Sequence, residues 1–446
     1  MRLADDLAAT SVEYARNVLG RARDRIDPDW IREALSRGGA VEVRRRKLPL
    51  DVVVWLIIGV NLIAGMGFVE IVRRLGLTVL SRRNFVQEPP GSSAVVEARR
   101  RLGSAPVREL FQIASSHWLD LEDFEHLRFH GLRVYAVDGV TMRTTDTDSN
   151  AAEFGKPASI KGEPAAYPVV RTLALMDAVT HVIGDVEVGS YKTSELALFE
   201  ILQERVPAHS VTILDRNFDS VRHLSMLHSE AKERHWLARG KARLRVKVLR
   251  ELGPGDQLAE IIVDKHARRL DASLPDRVMV RRIQYTAKGV AITVVTSMLD
   301  DQRFPAAEIA ALYHRRWEIE LAFDDIKTEQ RDGALTLRSK TPDLVRQELY
   351  GLLLAHNLVR VEMARVAVLL RVPPTRISFH RALGLVAEHL RATADATPPS
   401  KWADRQVLLR SELRFLLLPE RRVERAFPRA MKMPVGRYAR KKTLAR

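Results

Sequence analysis

Apolar residues change their spacing along the chain, and the change near residue 131 separates helical from strand-forming segments. Residues 1–125 have helical spacing, and Ser92-Ser93 is placed to cap a helix that continues through Leu102. Beyond residue 131, short apolar runs bounded by turn residues predict strands at 132–137, 169–176, 181–188, 211–214 and 235–238. A helix is predicted at 193–205. Three strands in a row, then a helix and another strand, predict an α/β fold with a mixed sheet.

The second half of the chain shows two further patterns. Basic and apolar residues alternate through 241–300, with a break at Gly253-Pro254-Gly255, which predicts a β-rich insertion. Pro305 opens a predicted helix that runs through Lys327, and residues 344–370 predict another long helix. The predicted organisation is a helical N-terminal domain at 1–125, a core in two parts at 126–240 and 301–400, the insertion at 241–300, and a tail at 401–446.

One apolar stretch, residues 52–69, has two interpretations. It follows the basic run at 44–47, which is the flank expected of a membrane span. The stretch is only about 18 residues long. It also contains Asn61 and three glycines, and Asp51 and Glu70 bound it closely. These features favour a buried helical hairpin over a span. Because the N-terminus has no signal-peptide pattern either, we expect a cytoplasmic protein with no membrane partner.

The charge balance indicates the kind of partner. Lys and Arg number 72 against 56 Asp and Glu, a net charge of +16, and 57 of the basic residues are Arg. Because the Arg fork matches phosphate geometry, this excess favours nucleic acid as the partner; a basic protein with no such role is the alternative. Residues 401–446 hold 14 basic and 4 acidic residues, which predicts a basic tail. The basic helix at 97–102 contacts either DNA or solvent. The absence of Cys excludes disulfides and thiolate metal sites.

Polar residues share one face of the helix predicted to begin at Pro305. They are Tyr313, Arg316, Glu320 and Lys327. Their offsets of 3, 7 and 14 residues keep them within roughly 60° of each other at about 100° per residue. A carboxylate on this face can hold a metal, while the cations and the phenol clamp phosphates. A surface helix with ordinary ion pairs is the alternative. Helical geometry does not separate Glu320 from Asp324, which lies on the same face.

Two aspartates, Asp138 and Asp215, lie at or near the ends of predicted strands, where ligands gather in α/β sheets. Together with a helix-borne carboxylate they can bind two divalent ions, Mg²⁺ with Mn²⁺ as a substitute. Such a pair activates an attacking oxygen and stabilises the leaving oxygen of a phosphodiester. Spacing does not choose this set uniquely, because other aspartates are rivals: Asp146, Asp148, Asp177 and Asp185.

Residues 313–327 resemble the Y-(2)-R-(3)-E-(6)-K signature of IS4-family insertion-sequence transposases, which are of the DDE type. All four signature positions match in type and spacing. Residues 213–218 resemble the family motif around the second aspartate, and residues 137–139 resemble the motif at the first. Further similarities lie at 154–157, 347–351 and 377–379. The resemblance extends from about residue 40 to about residue 440.

This resemblance implies an RNase H-like mixed-sheet catalytic core that carries a β-rich insertion and follows a helical N-terminal domain. It implies that the metal ligands are Asp138, Asp215 and Glu320. It implies contacts to the transposon-end DNA from Tyr313, Arg316 and Lys327. A tryptophan in the insertion of well-studied relatives holds a flipped base. This chain has no Trp between residues 237 and 316, so the role is unassigned and a hairpin intermediate is in doubt.

The function implied is that of a bacterial, nucleoid-associated DNA transposase. It binds the inverted repeats of its element and, in a synaptic homodimer, cleaves a strand and transfers it into double-stranded target DNA. A metal-dependent nuclease without strand transfer is one alternative. A non-catalytic DNA-binding relic of a transposase is another.

Overall fold

The computed structural model describes residues 26–40, 48–62, 68–74, 79–80, 87–88, 90–158, 165–218, 220–240, 246–263, 265–272, 274–287, 289–328, 330, 336–392 and 402–419. The basic run at 44–47 and the larger part of the predicted basic tail, 420–446, lie outside these ranges. The chain forms two compact units. The first comprises residues 1–120, 141–170 and 324–446, and the second comprises residues 121–140 and 171–323.

The helices, in chain order, are α1 (Pro28–Arg37), α2 (Leu50–Leu62), α3 (Phe68–Arg74), α4 (Ser92–Leu102), α5 (Ala105–Leu119), α6 (Asp148–Phe154), α7 (Glu195–Leu202), α8 (Val221–Leu227), α9 (Lys265–Leu270), α10 (Ala306–His314), α11 (Trp317–Thr328), α12 (Pro342–Leu370), α13 (Phe379–Ala392) and α14 (Trp402–Leu413). The strands are β1 (Val79–Leu80), β2 (Gln87–Glu88), β3 (Arg133–Thr144), β4 (Val169–Asp177), β5 (Ile183–Ser190), β6 (Ser210–Leu214), β7 (Arg234–Arg239), β8 (Val246–Gly253), β9 (Asp256–Ile262), β10 (Arg277–Ala287), β11 (Val290–Thr296) and β12 (Thr336–Leu337).

The apolar helix α2 lies in the core of the first unit and packs against α3 and α12. A Cβ added at Gly351 of α12 would lie 2.3 Å from Cγ2 of Ile57, so the two helix backbones approach closely there. No helix in the described ranges is long and apolar enough to cross a membrane. The stretch at 52–69 therefore contributes a buried helix, as favoured above, although residues 63–67 lie outside the described set.

The basic helix α4 differs from its prediction in two ways. It begins at Ser92, and its N-cap is Gly91, so the serines do not cap it. Arg99 faces inward, where its Nε donates to Gln347 Oε1 at 2.9 Å and its Nη2 to Ser339 Oγ at 3.0 Å. Burial lowers the pKa of Arg99. Arg99 therefore belongs to the interior of the first unit and to neither predicted role, because the interior supplies acceptors for the guanidinium.

A ten-stranded sheet among the described residues has the order β5-β4-β3-β6-β7-β11-β10-β9-β8, with β12 beside β3. Strands β3, β6 and β7 are parallel neighbours. Strand β4 runs antiparallel to β3, since the Ala178 amide donates to Val134 O, and β4 and β5 form a hairpin closed by Asp177 N to Val182 O. The mixed sheet of the predicted RNase H-like α/β fold is confirmed. The β-rich insertion is confirmed too, with β11 pairing antiparallel with β7.

Strand β3 is longer than predicted. The sequence interpretation ended it at Asp138-Gly139, but it runs on to Thr144. Alternate residues Val140, Met142 and Thr144 are buried beyond that point, which favours continued extended backbone. Its printed pairing with β6 ends at Ala136 opposite Ile213. Asp138 therefore lies within a strand, just past the place where the neighbouring strand ends.

The helix predicted from Pro305 through Lys327 is divided into α10 and α11. Pro305 is the N-cap of α10, as the sequence indicated. The amides of Arg315 and Arg316 donate to carbonyls three residues back, Leu312 O at 3.0 Å and Tyr313 O at 3.2 Å. Such bonds form a tighter turn than the α-helix and interrupt its phase. The four signature residues therefore do not share one uninterrupted helix.

Candidate active site

Asp138 and Asp215 lie at equivalent positions on two neighbouring parallel strands. The register that pairs Ala136 with Ile213, continued by two residues, brings Asp138 opposite Asp215. Adjacent strands are about 4.8 Å apart. Asp215 directly follows β6 and is half-buried, as Asp138 is. The topology therefore brings the two predicted strand carboxylates side by side at one end of β6.

Asp138 has acidic neighbours on both sides of its strand. Its Oδ1 accepts a hydrogen bond from the Gly139 amide at 2.8 Å. Burial raises the pKa of Asp138 to about 6, and the charges of Glu320 and Glu195 raise it further in the same direction. The Gly139 amide and Arg316 act to lower this pKa. The electrostatic influence of Glu320 on Asp138 shows that the helix-borne carboxylate lies close to the strand-borne one.

Arg316 holds Glu320 by an ion pair. Its Nη1 lies 2.9 Å from Glu320 Oε1, and its guanidinium lies 4.7 Å from the ring centroid of Trp317. The Arg316 side chain is 13% exposed and that of Glu320 is 37% exposed. Trp317 is 49% exposed, whereas Trp236 is buried in β7. Arg316 is therefore fixed between an acid and an aromatic ring at the start of α11.

The turn between β4 and β5 fixes the start of α11 within the second unit. His181 lies in this turn with a φ of 63°, and its Nε2 is 2.9 Å from Glu318 Oε2. The Oδ1 of Asp177 accepts from the amides of Val179 and Thr180 at 3.0 and 2.7 Å, which shapes the turn. Because Glu318 and Glu320 are on the same helical turn, this contact positions the helix segment that carries Glu320.

Tyr313 lies beside a tyrosine from the insertion. It is buried in α10. The charge of Tyr313 is one of the causes that raise the pKa of Tyr285 on β10, after burial, while Arg239 lowers it. The Tyr285 hydroxyl lies 3.4 Å from Nε2 of His314. The insertion thus contributes an aromatic and basic cluster around the first signature residue.

Lys327 and Asp324 belong to the first compact unit, whereas Glu320 belongs to the second. The Nζ of Lys327 is 3.9 Å from Oδ1 of Asp324, and both side chains are well exposed. Of the two acids that helical geometry left open, Glu320 is the one that acts on the pKa of Asp138. This observation supports Glu320 over Asp324.

The rival aspartates have structural partners. Asp146 pairs with Lys156 at 2.5 Å, and Asp185 pairs with Nε of Arg205 at 2.5 Å. Asp148 lies in the first turn of α6. Asp177 accepts the hydrogen bonds of its own turn, and burial raises its pKa. Ion pairing or a turn therefore accounts for each of them.

The residues at the end of β6 suit a divalent cation by their chemistry. Carboxylate oxygens are the ligands that hard divalent ions prefer. The pKa of Asp138 is raised partly by two acidic neighbours, so this region carries negative charge that a cation would neutralise. In the parts of the chain that the structure describes, no three His, Asp or Glu side chains are already gathered as ligands of one ion. Glu320 is bonded to Arg316 instead.

Glu195 is the residue near Asp138 that sequence analysis did not select. It begins α7, and the predicted helix at 193–205 gave it no special status. A Cβ added at Gly139 would lie 2.7 Å from Oε1 of Glu195. No spacing rule could have found this pair, because the two residues lie on different elements that only the fold brings together.

Comparison with known proteins gives matches over most of the chain. Residues 16–112 match the family described as insertion element 4 transposase N-terminal, and residues 129–358 match the transposase DDE domain. The chain is 36% identical over 427 residues to the transposase InsG for insertion sequence element IS4 of Escherichia coli (strain K12), which covers 95% of this chain and 94% of that protein. A piggyBac transposase, solved as a synaptic complex with hairpin DNA, aligns with 88% of this chain and 85% of its own at 11% identity and a TM-score of 0.43.

Proposed function

Since the chain belongs to the IS4 family of DDE transposases, we propose that it binds the inverted repeats of an insertion sequence, cleaves a strand at each end, and joins that strand to target DNA. It is a DNA transposase and an enzyme of the DDE type. The proposal adds the order of steps, the residues and the assembly.

One observation carries the residue assignment. Asp138 has Asp215 in register on the adjacent parallel strand, and it has Glu320 near enough to raise its pKa. These are the three carboxylates that the signature selects. We assign them as the ligands of two divalent ions, with Mg²⁺ as the physiological ion and Mn²⁺ as a substitute.

The chemistry requires no covalent protein intermediate. When bound, the two ions activate the attacking oxygen and stabilise the leaving oxygen. In the first step a water oxygen attacks the phosphorus at the transposon end, and the bond to the 3′ oxygen breaks and leaves a 3′-hydroxyl. In the second, that hydroxyl oxygen forms a bond to a target phosphorus and displaces the target's own 3′ oxygen. The protein's part is to hold the carboxylates and the DNA in position.

The remaining signature residues bind DNA in this proposal. Arg316, Tyr313 and Lys327 contact the backbone of the transposon end. The ion pair between Arg316 and Glu320 supports this role for Arg316, because a phosphate oxygen can replace a carboxylate on a guanidinium. Once Arg316 turns to the phosphate, the Glu320 carboxylate is released for a cation. Binding of the DNA end and completion of the metal site are thereby coupled.

The assembly proposed is a homodimer that pairs two transposon ends in a synaptic complex on the bacterial nucleoid. The net charge of +16 supports phosphate contacts that do not depend on sequence. Binding should therefore weaken as the salt concentration rises.

Replacement of the helix-borne carboxylate tests the proposal. Glu320→Gln keeps the shape and hydrogen-bonding ability of the side chain and removes its charge. Divalent-dependent cleavage of a labelled transposon end should be lost, while binding of that end in a gel-shift assay persists. Asp324→Asn is the matched control on the same helix and should cleave like the wild type. Unchanged cleavage by Glu320→Gln would refute the assignment of Glu320.

A second assay separates the alternatives. Supplied with precleaved ends and a supercoiled plasmid, the wild type should join the 3′-hydroxyl to the plasmid. Cleavage of intact ends without joining would identify a nuclease. End binding without either reaction in Mg²⁺ or Mn²⁺ would identify a DNA-binding relic.

A further inference from the structure

Gly139 is in contact with the carboxylate of Glu195. A Cβ added at Gly139 would lie 2.7, 2.8 and 3.1 Å from Oε1, Cδ and Cγ of Glu195. Gly139 is not among the residues with a positive φ, so its backbone conformation is open to other residues. The need for glycine at this position therefore comes from the side chain that lies against it.

Helix α7 holds Glu195 in place. Leu198, Phe199 and Leu202 bury one face of this helix in the core. The Oγ of Ser194 caps it by accepting from the Ala197 amide at 3.1 Å. At Gly189 of β5, an added Cβ would lie 2.9 Å from Cδ2 of Leu198, so helix and strand are closely packed. Since the helix is fixed at both its cap and its apolar face, the position of Glu195 beside β3 is a feature of the fold.

We propose that Glu195 is a fourth carboxylate of the active site and binds a divalent cation together with Asp138. The proposal rests on the metal-dependent function proposed above and adds a ligand that the signature motifs do not contain. Two observations support it: the contact with Gly139, the residue next to Asp138, and the electrostatic influence of Glu195 on Asp138 itself. Glu195 thereby supplies a negative charge from the side of β3 opposite to β6, since β5, on which α7 packs, lies two strands beyond β3 on that side.

A role in the helix alone is the competing explanation. An acidic residue in the first turn of a helix interacts favourably with the helix dipole. That role would make Glu195→Gln lower the thermal midpoint of the metal-free protein and leave metal affinity unchanged. The two explanations therefore differ in a measurement that does not depend on activity.

The test is a Mn²⁺ titration of the full-length chain, followed by the loss of the electron paramagnetic resonance signal of free Mn²⁺. Glu195→Gln should raise the dissociation constant by about 10- to 100-fold, the range found when supporting groups of metal sites are removed. Glu204→Gln, an exposed glutamate just beyond α7, is the matched control and should bind like the wild type.

Gly139→Ala provides a second variant that leaves Glu195 in the chain. The atoms its Cβ would meet are the flexible end of Glu195, so the carboxylate is displaced while the backbone stays in place. This variant should weaken Mn²⁺ binding in the same direction. In the double variant with Glu195→Gln, the loss should be smaller than the sum of the two single losses.

The outcomes separate this inference from the proposed function. Wild-type Mn²⁺ affinity in Glu195→Gln, together with lost binding in Asp138→Asn, would overturn the role of Glu195 and leave the proposed function intact. Wild-type affinity in Asp138→Asn would overturn the metal site itself. Weakened binding in Glu195→Gln and Gly139→Ala, with Glu204→Gln unchanged, supports the fourth carboxylate.

Discussion

Arg281 is the buried cation that connects the insertion to the segment leading into α10. Its Nε and Nη2 donate to Oδ1 and Oδ2 of Asp256 at 2.8 and 2.6 Å, and its Nη1 donates to the carbonyl of Phe304 at 2.6 Å. The side chains are 1% and 8% exposed. Phe304 directly precedes Pro305, the N-cap of α10. This one guanidinium therefore links β9 and β10 to the helix that carries Tyr313.

Arg281→Met is expected to destabilise the protein strongly, because it leaves the Asp256 carboxylate buried without its cation. Removing one partner of a buried pair costs about 3–5 kcal/mol. For a unit of this size, that loss corresponds to a fall of roughly 6–20 °C in the thermal midpoint. The double variant with Asp256→Leu replaces the pair with apolar side chains of similar length. It should recover most of the loss, since such replacements are often nearly neutral.

Urea unfolding followed by circular dichroism measures both variants. A loss below about 1 kcal/mol in Arg281→Met, the size expected of an exposed pair, would contradict the reasoning. So would a double variant no more stable than Arg281→Met, because the unpaired carboxylate would then not be the cause of the loss.

Three further outcomes are expected. Gly351→Ala should lower the free energy of unfolding by about 1–3 kcal/mol, because its Cβ would lie 2.3 Å from Cγ2 of Ile57; Gly384→Ala, whose Cβ would meet nothing within 4 Å, should raise the same quantity by about 0.5–1 kcal/mol in parallel thermal melts. Burial lowers the pKa of His235 below its ordinary 6.5, so the unfolded chain takes up a proton first as the pH falls. Wild-type stability should thus drop between about pH 7.5 and pH 5.5 in denaturant titrations, and His235→Gln should drop less. His181→Gln loses the 2.9 Å contact with Glu318 and should slow strand cleavage about tenfold with unchanged end binding in gel-shift assays.

The secondary structure of the core followed from the sequence because its signals are local. Alternating and continuous apolar runs predicted β4, β5, β6 and β7 close to their observed bounds. Pro305 marked the start of α10, and Pro373 came shortly after the end of α12. These signals depend on neighbours along the chain, so they can be detected without the fold. The signature spacing likewise selected Glu320 through family resemblance.

The interruption between α10 and α11 was not predictable from apolar periodicity. Arg315 and Arg316 have ordinary helix propensity, and nothing in their spacing marks a break. The structure decides it through amides that bond to carbonyls three residues back, while Glu318 pairs with His181 of a distant turn. Contacts far apart in the chain thus changed the phase of a helix that local signals had joined.

The sequence by itself determined which kinds of carboxylate the chain carries and on which elements they lie, because composition and periodicity are properties of the chain. Only the tertiary structure decided which of them meet. Asp138 faces Asp215 because β3 and β6 pair in parallel. Glu195 joins Asp138 because α7 packs closely enough on the sheet to require glycine at 139. Pairing and packing are selected by burial and backbone hydrogen bonding over the whole fold, and no local pattern encodes them.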